Sequence, residues 1–241
     1  MPVVVVLHGY GSRAELQADY MGLRLAADTL KFHLLMPDGT KNQNGERFWN
    51  AGPVCCDFFS SGVDDERFLL DLVRMISARP DVDVGRIYLV GHSNGGAMAY
   101  RMVCHHPALF AAVVSLAGIG QYGTTSCSQS SPVGALHVHG SSDDVVLFNG
   151  GLRNGKPYVG ARPMIEQMAT VNGCSPTAEE NAGYVDVVRD LSGAETQVSR
   201  WSGCARGVRT ELWTIPNGSH IPQLSTDFST LVYGFLVSHS K

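Results

Sequence analysis

Arg86-Ile87-Tyr88-Leu89-Val90-Gly91-His92-Ser93-Asn94-Gly95-Gly96-Ala97-Met98 is the stretch that decides the fold. Its first five residues form a short, largely apolar run suited to a buried strand. Residues 95–105 carry small and apolar side chains at helical spacing and stop before Pro107, whose ring disfavours helix in the residue before it. Between the two lies Gly91-His92-Ser93-Asn94-Gly95, a G-x-S-x-G spelling set strand-to-helix. A serine so placed stands on a strained bend at the carboxyl edge of a sheet, with its hydroxyl presented outward. Glycines are needed there because neighbouring backbones approach closely. The spelling alone is common by chance; its placement makes it specific.

The same alternation continues outward. Residues 3–7, 33–36, 111–116, 135–138 and 210–215 read as further strands, and 14–30, 62–78, 162–171 and 223–239 as helices. In 62–78, Val63, Phe68, Leu69, Leu72, Val73 and Ile76 repeat at threes and fours, and Asp64, Asp65 and Glu66 sit in the first turn, where the helix dipole favours acids. Alternation of this kind predicts an α/β chain: a mostly parallel, twisted sheet with helices on both faces. No repeat, linker or low-complexity tract divides it, so 1–241 reads as a single domain. Residues 40–61 read as a loop, and 175–207 carry no clear pattern.

With 18 Lys plus Arg against 22 Asp plus Glu, the net charge is −4. That argues against nucleic-acid or anionic-membrane partners, which need a clustered basic excess. A hydrophobic share of 44% excludes disorder as the main state. No apolar run approaches the ~20 residues of a membrane helix, and no secretory signal is visible.

The six cysteines, at 55, 56, 104, 127, 174 and 204, form no C-x-x-C pair, which argues against structural zinc. An even set suits disulfides and an oxidising compartment, against the blander reading of buried thiols. Neighbouring Cys55 and Cys56 are expected to bond to distant partners, because a bond between neighbours is strained.

A serine hydroxyl needs a base, and on this arrangement the chain order is Ser, then Asp or Glu, then His. His220 follows the last strand in Asn217-Gly218-Ser219-His220-Ile221-Pro222, where a loop can carry an imidazole over Ser93. His105 and His106 read as helix-end residues, His137 and His139 as packed strand residues, and His33 and His239 as structural or exposed. Asp143 and Asp144, in His139-Gly140-Ser141-Ser142-Asp143-Asp144, follow an intermediate strand. One of them is expected to hold the histidine tautomer, and the other to cap a turn. Two backbone N–H groups are needed for an oxyanion: Asn94 follows the nucleophile, and Tyr10 lies in the His8-Gly9-Tyr10-Gly11 turn after the first strand. Those glycines could serve only to turn the chain. Gly118-Ile119-Gly120-Gln121-Tyr122-Gly123 matches G-x-G-x-x-G, but no helix pattern follows it, so it fails as a dinucleotide site. Asn217-Gly218-Ser219 spells an N-glycosylation sequon, yet a glycan beside His220 would block the site.

These residues resemble the polyhydroxybutyrate depolymerase / feruloyl esterase group of secreted α/β-hydrolases, which includes acetyl xylan esterases. The resemblance rests on Leu7-His8-Gly9-Tyr10-Gly11, on Phe48-Trp49-Asn50-Ala51-Gly52 followed by Cys55-Cys56, and on Val63-Asp64-Asp65. It continues through Gly91-His92-Ser93-Asn94-Gly95-Gly96, Phe110-Ala111-Ala112-Val113, His139-Gly140-Ser141-Ser142-Asp143 and Asn172-Gly173-Cys174, and so covers nearly the whole chain. It implies an α/β-hydrolase fold without a large lid, Asp143 rather than Asp144 as the acid, and a Cys174–Cys204 bridge. It implies secretion, with the leader absent from this chain. It also places Trp49 and Asn50 near the serine; these, with His92 and Ile221, are expected to meet substrate. Three departures stand out. Ile221 replaces a frequent Trp before Pro222. Asp144 replaces a frequent Pro. The chain starts inside the first strand, as a trimmed or minimal hydrolase would.

The resulting expectation is a serine carboxylic-ester hydrolase with Ser93, Asp143 and His220 and no cofactor or metal. Its substrate is a small or polymeric ester: first a feruloyl or acetyl ester of plant cell walls, second a 3-hydroxybutyrate polyester. A non-catalytic carbohydrate-binding relative is the alternative from another class.

Overall fold

In the computed structural model, which describes residues 1–120, 127 and 131–241, the apolar run 3–7 is strand β1 (Val3–Leu7). Its side chains alternate between two cores, as strand geometry requires. Val3, Val5 and Leu7 enter one core, and Val4 and Val6 the other. Such a strand must be covered on both faces. Helices α1 (Ala14–Tyr20) and α2 (Leu23–Leu30) follow, then β2 (His33–Leu35). A small β3 (Thr40–Lys41) and β4 (Arg47–Phe48) ribbon lies within the expected loop 40–61. Next come α3 (Asp65–Ser77), β5 (Ile87–His92), α4 (Asn94–His105), β6 (Ala112–Leu116) and β7 (Gly134–Gly140). A β8 (Gly150–Arg153) and β9 (Lys156–Val159) hairpin, α5 (Ala161–Val171), β10 (Glu179–Val185), β11 (Thr196–Trp201), β12 (Thr210–Ile215) and α6 (Phe228–Val237) complete the chain.

The main sheet has the order β10-β11-β12-β7-β6-β5-β1-β2. Its pairings are parallel from β12 to β2; β10–β11 and β11–β12 are antiparallel. Helices α3, α4 and α5 pack on one face, and α1, α2 and α6 on the other. This is a mixed α/β-hydrolase sheet. The carboxyl ends of β1, β5, β7 and β12 share one edge, so the segments after Leu7, His92, Gly140 and Ile215 converge there. Among the described residues, no lid segment covers that edge, and no helix is long and apolar enough to cross a membrane.

Several expectations are corrected. Residues 14–30 form two helices, because Gly22 turns the chain at φ +66° against Ser229. The unpatterned 175–207 supplies the antiparallel hairpin β10–β11. Residues 223–227 precede the last helix rather than belong to it. Cys55 and Cys56 bond to each other, not to distant partners; a cis peptide bond between them brings their Cα atoms to 3.0 Å. Cys104 pairs with Cys127, and Cys174 with Cys204 as the resemblance implied. Gln121, Tyr122 and Gly123 of the G-x-G-x-x-G spelling lie outside the described residues.

The Cys174–Cys204 bridge closes a 30-residue separation that spans β10 and β11. Replacing both cysteines by alanine is expected to lower unfolding stability by about 3 kcal/mol, the scale of loop entropy released to the unfolded chain. Urea unfolding of the double variant against wild type measures it, and an unchanged midpoint would refute it.

Candidate active site

Strand β5 runs straight into α4 through Ser93, whose backbone is held at φ 53°, ψ −117°. A side chain here can adopt that conformation only because its surroundings are nearly bare. A Cβ on Gly91 would lie 2.3 Å from the Gly95 carbonyl oxygen, and one on Gly95 would lie 2.2 Å from that of Leu7. The two glycines thus let α4 start against β1 and hold the serine at the mouth of the sheet.

His220 arrives on the loop after β12. Its Nε2 lies 2.9 Å from Ser93 Oγ, and its Nδ1 lies 2.8 Å from Asp143 Oδ2. Asp143 follows β7 and is almost wholly buried, whereas Asp144 is exposed. The other oxygen of Asp143 accepts the N–H groups of Val145 and Val146 at 2.9 and 2.8 Å. Burial pushes the Asp143 carboxyl up, but hydrogen bonds from His139, His220 and the Val146 amide outweigh it and hold the group well below the usual carboxylate range. His139 Nε2 faces only acceptors, Val146 O at 2.8 Å and Asp143 Oδ2 at 3.1 Å, so it carries the proton there. Its Nδ1 therefore accepts from His137 Nε2, at 2.9 Å.

Tyr10 and Asn94, the two expected oxyanion donors, both line the cleft over Ser93. No acceptor among the described residues takes either backbone N–H. The turn after β1 is fixed from behind: Gly9 N–H donates to Gln17 Oε1 at 3.1 Å. His8 Nε2 accepts from the Gly39 amide at 2.9 Å, while its Nδ1 donates to the Gly9 carbonyl.

The other expected contacts divide. Ile221 lines the cleft and is 62% exposed. His92 also borders it, but its Nε2–H donates to the His220 carbonyl at 3.0 Å, so it supports the histidine loop. Trp49 and Asn50 sit behind the cleft, not in it. Trp49 is fully buried and donates from Nε1 to His8 O at 3.1 Å, and its backbone N–H and C=O are both clamped by the Asn94 side chain at 2.7 and 2.9 Å. Asn50 is engaged by Asp65 and by the Val63 carbonyl. His105 closes the last turn of α4 and His106 is its C-cap, with its N–H on the Met102 carbonyl at 2.8 Å. Both meet the Glu66 carboxylate, with Arg101.

The cleft holds about 550 Å³. Sequence reading missed several of its walls: Leu16, Tyr20, Phe58, Val145, Arg153 and the Cys55–Cys56 disulfide. The adjacent cysteines were a usable signal, being part of the quoted motif; Tyr20 and Leu16, inside an ordinary helix pattern, gave none. Tyr20 also donates its hydroxyl to Pro222 O at 2.8 Å and so anchors the histidine loop.

Burial, then the neighbouring His220, pushes His92 down to about 4. His8 and His137 are also lowered, chiefly by burial. Unfolded histidines take up protons below about pH 6.5 while these folded ones resist. Stability is therefore full above that pH and falls as pH drops toward 4, with His92 alone responsible for up to about 3 kcal/mol. Asp65, raised by burial to about 6, works in the opposite sense over part of that range. A thermal midpoint that is flat from pH 7 to 4.5 would contradict this.

The family model described as Esterase PHB depolymerase matches residues 1–178, which include Ser93 and Asp143 but not His220. Feruloyl esterase B of Piromyces equi is 29% identical over 195 residues, 76% of this chain and 32% of its own length. Feruloyl esterase B of Neurospora crassa is 29% identical over 173 residues, 68% of this chain and 56% of its own length. The chain thus spans only about a third to about half of these curated relatives. The solved structure of acetyl xylan esterase from Aspergillus awamori matches with a TM-score of 0.68 over 98% of this chain and 88% of that one. At 14% identity, that likeness speaks for the fold alone. With nearly three quarters of its length matched by the family model, on the fold its sequence predicted, the chain belongs to the Esterase PHB depolymerase family.

Proposed function

We propose that the chain is a serine carboxylic-ester hydrolase that cleaves feruloyl or acetyl esters on plant cell-wall polysaccharide. The observation that carries this is the unbroken line from Asp143 Oδ2 through His220 to Ser93 Oγ, with 2.8 and 2.9 Å contacts, at the floor of an open cleft. His220 Nε2 takes the Ser93 proton as Oγ attacks the ester carbon. The carbonyl oxygen gains charge beside the free N–H groups of Tyr10 and Asn94, which stabilise it. The C–O bond to the alcohol then breaks, and His220 returns the proton to that oxygen. Water attacks the acyl-serine by the same route, releasing the acid and restoring Ser93. Asp143 stays ionised throughout, keeps His220 protonated at Nδ1 and steadies the imidazolium.

The acyl preference draws on the feruloyl esterases among the relatives and on the cleft wall. Tyr10 and Phe58, with ring centroids 5.2 Å apart, offer an aromatic acid an apolar surface beside the serine. The family description favours a second reading, hydrolysis of 3-hydroxybutyrate oligomers. Secretion is part of the proposal, supported by three disulfides.

The test is a side-by-side rate assay on methyl ferulate and on a 3-hydroxybutyrate trimer, with a fluorophosphonate probe for Ser93. Faster ferulate turnover supports the first reading, and faster trimer turnover the second. An unlabelled serine with neither ester cleaved would leave the non-catalytic alternative.

A further inference from the structure

Strand β7 carries two imidazoles on one face, His137 and His139, both almost wholly buried. A buried imidazole costs stability unless its nitrogens are engaged, and both nitrogens of His139 are. His137 Nε2–H donates to its Nδ1 at 2.9 Å, and with no proton on Nδ1 the ring is neutral. Its Nε2 proton lies between Val146 O at 2.8 Å and Asp143 Oδ2 at 3.1 Å. Val146 in turn gives its N–H to Asp143 Oδ1 at 2.8 Å. Ring, turn and carboxylate therefore fix one another. The His139 ring also meets Phe148 edge to face, with centroids 5.6 Å apart.

Oδ2 is the oxygen on which the reaction depends, because His220 Nδ1 lies 2.8 Å from it. Two imidazoles thus donate to one carboxylate oxygen. Each bond draws charge from that oxygen, so the second weakens the first. The bond from His220 strengthens when His220 becomes the imidazolium, and the His139 bond blunts that gain. An imidazolium held less tightly releases its proton at lower pH, and only the neutral ring can take the Ser93 proton.

The other titratable groups around His220 do not take over this part. His92 from β5, its ring centroid 5.0 Å from that of His220, is held down to about 4, first by burial. Burial also pushes His137 well down. It pushes the hydroxyls of Tyr10, Tyr20 and Tyr100 up, so they stay neutral. At the rim, Arg153, which donates to the Val145 carbonyl at 2.6 Å, and exposed Asp144 bring one charge of each sign.

We infer that His139 is a positioning residue for ester hydrolysis: by sharing Asp143 Oδ2 with His220 it fixes the carboxylate and extends activity to lower pH. This rests on the ester-hydrolase reading above. His139 touches neither substrate nor Ser93 and acts only through Asp143.

The test uses two variants. His139→Met reaches as far as the imidazole but has no proton to give. His139→Gln places an NH₂ the same number of bonds from the backbone as Nε2. For each, kcat/KM on methyl ferulate is followed from about pH 5 to 9, the range that spans an ordinary histidine. In His139→Met the acidic limb is expected about half a pH unit above that of wild type, the scale of a partial change in one hydrogen bond. Its plateau is expected to be about tenfold lower, as when one hydrogen bond to a charged group is lost. His139→Gln is expected to bring the limb back to within about 0.2 pH unit and the plateau to within about threefold. A limb that stays in place or moves down in His139→Met would overturn the inference. So would a His139→Gln no better than His139→Met, because the loss would then be one of packing. Nitrogen-15 spectra of histidine-labelled wild type need no variant to fold. His139 is expected there as the neutral Nε2–H form throughout, and an Nδ1–H or charged ring at pH 7 would also overturn it. The same spectra follow His220 without turnover. A wild type that cleaves no ester, with His220 titrating at higher pH in His139→Met, would remove the hydrolase reading and leave the part played by His139 standing.

Discussion

Ser93→Ala is expected to lower kcat on methyl ferulate by about 10⁵- to 10⁶-fold, leaving only what oriented binding and the Tyr10 and Asn94 amides supply without a nucleophile. The variant is clean because the hydroxyl has no structural duty. Its single side-chain partner is His220 Nε2, and the φ of 53° is imposed by the strand, the helix and the two close glycines. The fold is expected to survive with a thermal midpoint within a few degrees, and fluorophosphonate labelling is expected to vanish. Residual turnover within tenfold of wild type would remove Ser93 from the reaction.

Asp143→Asn should be the next most damaging change, at about 10⁴-fold in kcat, the scale of a histidine held in the wrong tautomer. The loss follows from the hydrogen bonds. Asn can keep its oxygen on the Val145 and Val146 amides, but its NH₂ must then face His220 Nδ1. That nitrogen becomes an acceptor, the ring proton moves to Nε2, and the base in front of Ser93 becomes a donor. The same NH₂ also opposes the His139 Nε2–H, which is fixed by the Val146 carbonyl. Exposed Asp144 gives the contrast: Asp144→Asn is expected to stay within about twofold. Comparable losses at both positions would show that the pair had been resolved wrongly. Because Asp143 is held well below the usual carboxylate range, its protonation is not expected to limit activity anywhere in that range or above it.

The inner part of the fold was legible because each central strand is apolar on both faces and each covering helix has a repeating apolar stripe. Val3–Leu7 and Ile87–His92 are of this kind. The outer strands were not. In β10, Glu-Glu-Asn-Ala-Gly-Tyr-Val is an exposed edge with no two-residue alternation, and only pairing with Thr196–Trp201 makes it a strand. The β8–β9 hairpin carries a two-residue turn signal, Asn154-Gly155, with both residues at positive φ. At the site, Ser93, His220 and an aspartate after β7 follow from chain order alone. The choice of Asp143 over Asp144 needed the family resemblance, because both occupy the same turn. The resemblance sets Trp49 near the serine, and the Asn94 side chain does hold its backbone there; that it backs the cleft instead of lining it was not legible, because its indole N–H turns inward to His8.

The Asn94 side chain, which grips the Trp49 backbone through both its oxygen and its nitrogen, divides the chain into parts that can and cannot diverge freely. Trp49 is one anchor, Asn50 on Asp65 is a second, and between Ala51 and Gly62 the chain passes along the rim as the Cys55–Cys56 pair and Phe58. An insertion or deletion in that span changes what the cleft admits while the nucleophile and its neighbouring amides stay in register. Ester preference can thus drift among descendants by editing this short span, whereas a change at position 94 or 49 would disturb both the rim and the chemistry.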